Sequence, residues 1–361
     1  MTRAIELAKR GIGNVSPNPL VGCVLVRDGA IIGEGYHAEY GQHHAEVNAV
    51  LSIENQSLLE GATAYVTLEP CAHHGRTPPC AQTLIDAEIR RVVVSTQDPD
   101  SRVDGKGFAM LKEAGIDVAF QNRGDASGRV LQTYLKTKTE NRPFVTLKLA
   151  MTVDGVIGLK ARDQLKLTGP VSNAQTHLLR SRHDAILVGI DTVLSDDPSL
   201  TCRLPGLEGR SPIRLVLDAE GKLLADHQVV KTAREYPTMV ATPNGVGEAY
   251  LDLLKEHGVL RLACELANGR IALPELLDDL NARGIQSVLV EGGAKVAESF
   301  LDEALVDEII LLEAGNPETG DGSAELVFAP FTSENIPQGF EICEEMRFGD
   351  DRFLRLKRRI R

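Results

Sequence analysis

The sequence predicts a two-domain α/β protein, and three observations carry that prediction. At 361 residues the chain exceeds one typical domain. Runs rich in Val, Ile and Leu alternate with helically spaced text, first up to Phe120 and again from Arg142, which reads as mainly parallel sheet with helices on both faces. Between them, Gln121 to Asn141 is polar and charged with little periodicity. We therefore expect domains at 1–122 and 142–361, joined by a connecting segment at 123–141.

The elements follow in order. Residues 2–10 read as a short helix stopped by Gly11 and Gly13, and Ser16-Pro17-Asn18-Pro19 forces an extended loop. Val21 to Val26 is a strand, Arg27-Asp28-Gly29 a turn and Ile31-Ile32 the hairpin partner. Ala45 to Ile53 is helical, Thr63 to Leu68 β-rich, and Cys80 opens a helix over 81–88. Val92–Ser95, a helix over 107–114 and Ile116–Phe120 complete the first half. Within the connecting text, Gly128 to Lys136 could form a helix packed on either domain. The second half opens with a strand at Phe144–Ala150. Further strands are expected at 185–188, 213–217, 287–290, 306–312, 340–344 and 353–357. Helices are expected at 172–182, 251–256, 274–282 and 295–302.

Hydrophobic content of 43% with 25% charged residues is that of an ordinary soluble globular protein. A net charge of −12 argues against a broad nucleic-acid or membrane footprint, although one or two arginines still suffice for a small phosphate. No apolar run approaches the ~20 residues of a membrane span, and Glu6 interrupts any secretory pattern at the start. Six cysteines in this length do not make a disulfide scaffold, so a cytoplasmic protein is expected. Cys23, Cys202, Cys264 and Cys343 lie in or near β-rich text and read as packing residues.

The chemistry concentrates at His44-Ala45-Glu46, followed by Glu69-Pro70-Cys71 and Pro78-Pro79-Cys80. His44, Cys71 and Cys80 can fill three corners of a zinc tetrahedron and leave the fourth for water, whose pKa the metal lowers toward neutrality. Glu46 is then placed to take the water's proton and deliver it to a ring nitrogen and to leaving ammonia. His44 and Glu46 are two residues apart, so both reach one cavity only at a helix start. Cys80 at a helix N-terminus is favoured as a thiolate. H-x-E with a later pair of cysteines is the zinc-deaminase signature, but here eight residues, Ala72 to Pro79, separate the cysteines instead of two. A purely structural zinc site would supply four protein ligands and give Glu46 no role.

That wide spacing sharpens the reading. Ser-Pro-Asn-Pro (16–19), Val-Gly-Cys-Val (21–24), Gly-Tyr-His (35–37), His-Ala-Glu-Val (44–47) and the run from Thr67 to Cys80 resemble the deaminase domain of the bifunctional riboflavin-biosynthesis deaminase/reductases. The resemblance implies a cytidine-deaminase-like three-layer domain acting on a diamino-pyrimidinone that carries a ribose phosphate. It implies pyrimidine contacts at Asn18 and His37, and ribose-phosphate contacts at His73 and Arg76. Asn18 offers a donor and an acceptor to a pyrimidine edge, and Arg76 suits a phosphate.

In the second half, Val288-Leu289-Val290-Glu291-Gly292-Gly293 is a strand ending in paired glycines that open a helix, a place where backbone can approach a phosphate. It is not the G-x-G-x-x-G dinucleotide fingerprint. Thr146 to Gly155, Asp184 to Gly189, Asp196 to Thr201 and Glu291 to Gly293 resemble the reductase domain of the same family. The resemblance implies a dihydrofolate-reductase-like α/β fold, NADPH, and reduction of the ring-opened ribose to ribityl. It places Lys148 beside the reacting carbonyl, where a cation stabilises developing negative charge. Cofactor contacts are implied at Ala150, Lys166, Thr192, Asp196 and along Gly293, Ala294, Lys295, Val296, Ala297, Glu298 and Ser299. Substrate contacts are implied at Gln164, Arg180, Leu200, Arg203 and Glu291. The chain departs from the family by having no tryptophan before Thr168-Gly169-Pro170 and by a polar stretch at Asn316–Asp321.

The expected function is consecutive zinc-dependent deamination and NADPH-dependent reduction. Small phosphorylated pyrimidines are the expected partners, in a homo-oligomer that binds neither nucleic acid nor membrane. One alternative keeps the deaminase and makes the second domain silent. A deaminase acting on a flipped base would want a basic groove, which the acidic balance disfavours. A zinc-stapled binding module would leave Glu46 idle.

Overall fold

A computed structural model describes residues 1–73, 78–121, 125–159, 167–315 and 325–359. The chain divides into two compact units, Met1–Arg142 and Pro143–Arg361.

The first unit runs α1 (Thr2–Ala8), β1 (Gly22–Arg27), β2 (Ala30–Tyr36), α2 (Ala45–Leu51), β3 (Thr63–Val66), α3 (Cys80–Asp86), β4 (Arg91–Val94), α4 (Lys106–Glu113), β5 (Asp117–Phe120) and α5 (Asp125–Glu140). Its five-stranded sheet has the order β2-β1-β3-β4-β5. β1 is antiparallel to both its neighbours, whereas β3, β4 and β5 are mutually parallel. This sheet is therefore mixed, not mainly parallel: the expected turn at Asp28-Gly29 folds β2 straight back on β1, and β1 also runs against β3. Cys23, Leu25, Ala64, Val66, Val92 and Val94 alternate onto one core face, which α2, α3 and α4 cover with Ala45, Ala49, Leu84 and Leu111. Gly35 allows α2 to lie close on β2, since a Cβ there would fall 2.3 Å from the Ala45 carbonyl. That close approach brings the first turn of α2 over the sheet. The connecting text proves to be mostly helix. In α5, Val130, Leu131 and Tyr134 form a narrow apolar stripe in otherwise polar sequence and are buried within the first unit.

The second unit continues with β6 (Phe144–Thr152), β7 (Val156–Leu159), α6 (Pro170–Arg180), β8 (Ala185–Gly189), α7 (Ile190–Asp196), β9 (Ile213–Leu217), α8 (Gln228–Lys231), β10 (Thr238–Thr242), α9 (Glu248–His257), β11 (Leu260–Ala263), β12 (Leu266–Ala267) and β13 (Arg270–Ile271). It ends with α10 (Leu273–Ala282), β14 (Ser287–Val290), α11 (Ala294–Asp302), β15 (Glu308–Ala314), β16 (Leu326–Phe328), β17 (Phe340–Phe348) and β18 (Asp351–Arg358). The nine-stranded sheet has the order β11-β10-β9-β8-β14-β6-β15-β18-β17, parallel from β11 to β15 and closed by an antiparallel hairpin. Sequence periodicity overlooks β10 and β11, whose four or five residues fall below a clear two-residue pattern. Val145, Leu147, Leu149 and Met151 of β6 enter one core, which sends Lys148 and Ala150 to the opposite face. Cys23 and Cys202 are buried packing residues, but Cys343 is exposed, where the bulge of the edge strand β17 turns it outward.

Candidate active sites

His44 is the N-cap of α2, Glu46 stands in that helix's first turn, and Cys80 is the first residue of α3. Cys71 lies in the loop after β3. Side-chain atoms of His44, Cys71 and Cys80 all fall within 4.8 Å of one another. His44 Nδ1 is 3.2 Å from Cys80 Sγ and 3.7 Å from Cys71 Sγ. A nitrogen and a sulfur on one tetrahedral zinc stand about 3.6 Å apart, so the trio fits that ion. The two thiols share a proton: the hydrogen bond from Cys80 holds Cys71 down as the thiolate, and the same bond, with burial, pushes Cys80 up. One thiolate, one thiol that yields its proton and one imidazole suit a soft divalent cation.

Glu46 is 3% exposed, and burial, reinforced by the Cys71 thiolate, pushes its carboxyl up to about 7. A carboxyl poised there both takes and returns protons near neutral pH. Beside it, His37 Nδ1 lies 3.0 Å from the His43 carbonyl, so that nitrogen carries the proton and Nε2 accepts from Asn18 Nδ2 at 3.0 Å. The His37 and His44 rings meet edge to face at 5.2 Å. Asn18 and His37 thus join the metal trio on one wall. His73 is exposed at the start of the cysteine loop, and Arg76 lies outside the described residues.

In the second unit a separate constellation forms where β6, β14 and α6 meet. Arg180, in the last turn of α6, grips Glu291 with two bonds, Nε to Oε1 at 2.9 Å and Nη2 to Oε2 at 3.0 Å. Lys148 Nζ stands 4.0 Å from Glu291 Oε2. Burial opposes the Glu291 charge, but Arg180 and Lys148 outweigh it and hold the carboxyl down at about 2. Burial pulls Lys148 below the ordinary lysine range. Arg180 also donates to the Thr201 carbonyl at 3.1 Å, which ties the Leu200–Arg203 loop to α6. His177, one turn earlier, meets the same loop through Nδ1, 3.1 Å from the Thr201 carbonyl and 3.2 Å from the Arg203 backbone nitrogen; sequence reasoning passes over it, since only its place three residues before Arg180 marks it.

Most of the suggested cofactor positions lie along two helices, α7 and α11, with Ala150 apart on β6. Lys295 Nζ bonds Asp191 Oδ2 at 2.8 Å and so links α11 to α7, which carries Thr192 and Asp196. Gly293 caps α11, is exposed, and has open space where a Cβ would stand, which leaves room for a phosphate at the helix N-terminus. Ala294 and Val296 are half-buried and Glu298 is exposed. Ala297 is buried in the core, and Ser299 donates to the Lys295 carbonyl and accepts from Arg270. Ala150 packs against the cluster of Leu179, Leu289 and Ile310. Gln164, Lys166 and the 316–321 stretch lie outside the described residues.

Residues 1–96 match the cytidine and deoxycytidylate deaminase zinc-binding region, and residues 143–315 match the RibD C-terminal domain. The riboflavin biosynthesis protein RibD of Actinobacillus pleuropneumoniae is 42% identical over 312 residues, covering 86% of this chain and 81% of that protein. The chain belongs to the RibD family. The RibD of Escherichia coli K12 is 37% identical over 334 residues, covering 86% of this chain and 85% of its own length. Among solved structures, Acinetobacter baumannii RibD superposes with a TM-score of 0.86 at 36% identity, covering 99% of this chain and 98% of that one. A Thermotoga maritima structure gives 0.85 at 35% identity, covering 99% and 97%. It is titled a diaminohydroxyphosphoribosylaminopyrimidine deaminase and 5-amino-6-(5-phosphoribosylamino)uracil reductase. Each of the two matched regions thus covers one of the two constellations.

Proposed function

We propose that His44, Cys71 and Cys80 bind Zn2+ for a deamination driven by Glu46, and that Lys148, Glu291 and Arg180 serve an NADPH-dependent reduction. The chain is a bifunctional riboflavin-biosynthesis enzyme. It hydrolytically deaminates the diamino-ribosylamino-pyrimidinone phosphate and then reduces the product's ribose to ribityl. We assign the first step to residues 1–122 and the second to 142–361. The observation that carries this reading is the metal-ligand trio with a buried carboxyl beside it, in a chain that also holds a half-buried lysine against a locked Glu–Arg pair.

When bound, zinc supplies the Lewis acidity that brings a water's pKa near neutral. Glu46 takes one proton from the attacking water and gives it to the ring nitrogen, then takes the second from the newly attached hydroxyl and gives it to the departing ammonia. Asn18, oriented by its bond to His37, presents its amide oxygen and remaining N–H to the pyrimidine edge. In the second step NADPH supplies the hydride. Lys148 stabilises the negative charge that develops on the ribose carbonyl oxygen, and Glu291 with Arg180 fixes where that ammonium points. Arg203, His73 and Arg76 are our candidates for substrate phosphate.

We further propose a cytoplasmic homo-oligomer. No helix among the described residues is long and apolar enough to cross a membrane. β17 supports association between copies by presenting an exposed edge with Ile342 and Met346.

The test isolates the second step. Purified enzyme receives the already deaminated ribosylamino-pyrimidine phosphate, NADPH absorbance is followed, and Lys148→Ala is run beside it. Oxidation in the wild type that disappears in the variant is expected. Ammonia release from the diamino substrate with no NADPH oxidation by the wild type would leave a deaminase with a silent second half.

A further inference from the structure

The sequence pairs Glu69 with Pro70 and Cys71 but offers no role for it. In the fold this glutamate is 3% exposed, although it faces no arginine or lysine ion-pair partner among the described contacts. Four backbone N–H groups surround it instead. Oε1 accepts from Gly107 at 3.0 Å and from Phe108 at 3.4 Å. Oε2 accepts from Gly105 at 3.1 Å and from Asp98 at 3.3 Å. Three of these donors belong to the cap and first turn of α4, whose own cap residue, Gly105, has no side chain to satisfy them. The positive end of that helix and the converging dipoles stabilise the buried carboxylate.

The neighbouring residues make this a rigid post. The Glu69 N–H donates to the Thr96 carbonyl at 2.9 Å. The Pro70 carbonyl lies so close to α4 that a Cβ on Gly107 would stand 2.0 Å from it. Cys71 follows at once, its carbonyl taken by the Ala81 N–H at 3.1 Å and its sulfur by the Cys80 N–H at 3.3 Å. Behind the post, both oxygens of Asp98 accept from the Tyr134 hydroxyl, at 2.9 and 3.1 Å, which braces the loop against α5.

We infer that Glu69 is a positioning residue for the metal: docked on the start of α4, it sets the height at which Cys71 meets His44 and Cys80. Two proline-stiffened bonds join carboxylate anchor to ligand, so a shift of the anchor moves the Cys71 sulfur directly. This rests on the zinc assignment made above. Glu69→Gln keeps the volume but turns one acceptor into an NH2 group that faces N–H donors, and the loop must withdraw. Loss of a residue that orients a ligand typically costs about 10- to 100-fold in metal affinity.

The experiment titrates zinc on the full chain against a chromogenic chelator, and records the thiolate-to-metal charge-transfer band of the Co2+-substituted protein. Glu69→Gln should weaken zinc by about 10- to 100-fold and shift or weaken the Co2+ band, with NADPH oxidation on the deaminated substrate unchanged. Gly107→Ala, which pushes on the Pro70 carbonyl, should do the same, and it decides the matter by the same titration should Glu69→Gln not fold. Cys71→Ser separates the two ideas. If it retains zinc at wild-type affinity, the ligand assignment fails. If it loses zinc while Glu69→Gln and Gly107→Ala bind as the wild type does, this inference alone is overturned and Glu69 only caps a helix.

Discussion

Replacing Glu291 with glutamine should remove the charge that holds Lys148 and Arg180 in place. The carboxyl sits at about 2 in the fold against 4.5 when free. At ~1.4 kcal/mol per unit, the ionised form is stabilised by about 3 kcal/mol in the native unit. Its folded value is depressed, so this stability is fully present above pH ~4.5 and is lost as the pH falls toward 2. By pH 3 the unfolded carboxyl is almost wholly protonated while the folded one is still mostly charged, and the contribution drops to about 1 kcal/mol. Glu291→Gln should therefore lower the midpoint of the second unit by roughly 6–12 °C at pH 7 and by only a few degrees at pH 3. Differential scanning calorimetry is the suitable assay, because the chain has no tryptophan to report unfolding by fluorescence. NADPH oxidation should fall about 10²-fold or more as the Lys148 ammonium loses its fixed direction, while ammonia release is unchanged. A midpoint difference that stays the same from pH 7 to pH 3, or a fully active reductase, would refute the reasoning.

The other predictions concern the first site. Glu46→Gln should abolish ammonia release with zinc still bound, measured by metal analysis of the purified variant; loss of the metal as well would point to a ligand role instead. Dialysis against a strong chelator should stop deamination and spare NADPH oxidation on the deaminated substrate, and stoichiometric Zn2+ should restore the first activity. Asn18→Ala should raise KM for the diamino substrate more than it lowers kcat, by about 10-fold, since it removes a contact present before the chemistry begins. Gly35→Ala drives a methyl to 2.3 Å from the Ala45 carbonyl, so α2 must move. It should cost about 1–3 kcal/mol in calorimetry and most of the ammonia release, because His44 and Glu46 ride on that helix.

Several features were already legible in the residues. His44, Glu46, Cys71 and Cys80 are of types and spacings that serve one chemistry, and the placement of His44, Glu46 and Cys80 at helix starts follows from the apolar runs and, for Cys80, the preceding prolines. The strands at Gly22–Arg27, Ile213–Leu217 and Ser287–Val290 follow from side-chain patterns that are strictly local. The β1–β2 hairpin was legible as well, but the antiparallel pairing of β1 with β3 was not, and it makes the first sheet mixed.

What the sequence by itself determined is thus the local chemistry: which side chains can ligate, shuttle protons or pair, and where strands and helices begin. Tertiary structure alone decided the long-range meetings. Arg180 and Glu291 lie 111 positions apart, Glu69 meets the start of α4 across 36 to 39 positions, and α5 shows which unit it joins through Leu131 in the core and Tyr134 on Asp98. Nothing periodic marks such pairs. A hydrogen bond or ion pair acts over a few ångströms of space whatever the separation along the chain, so its partners exist only once the sheets have closed.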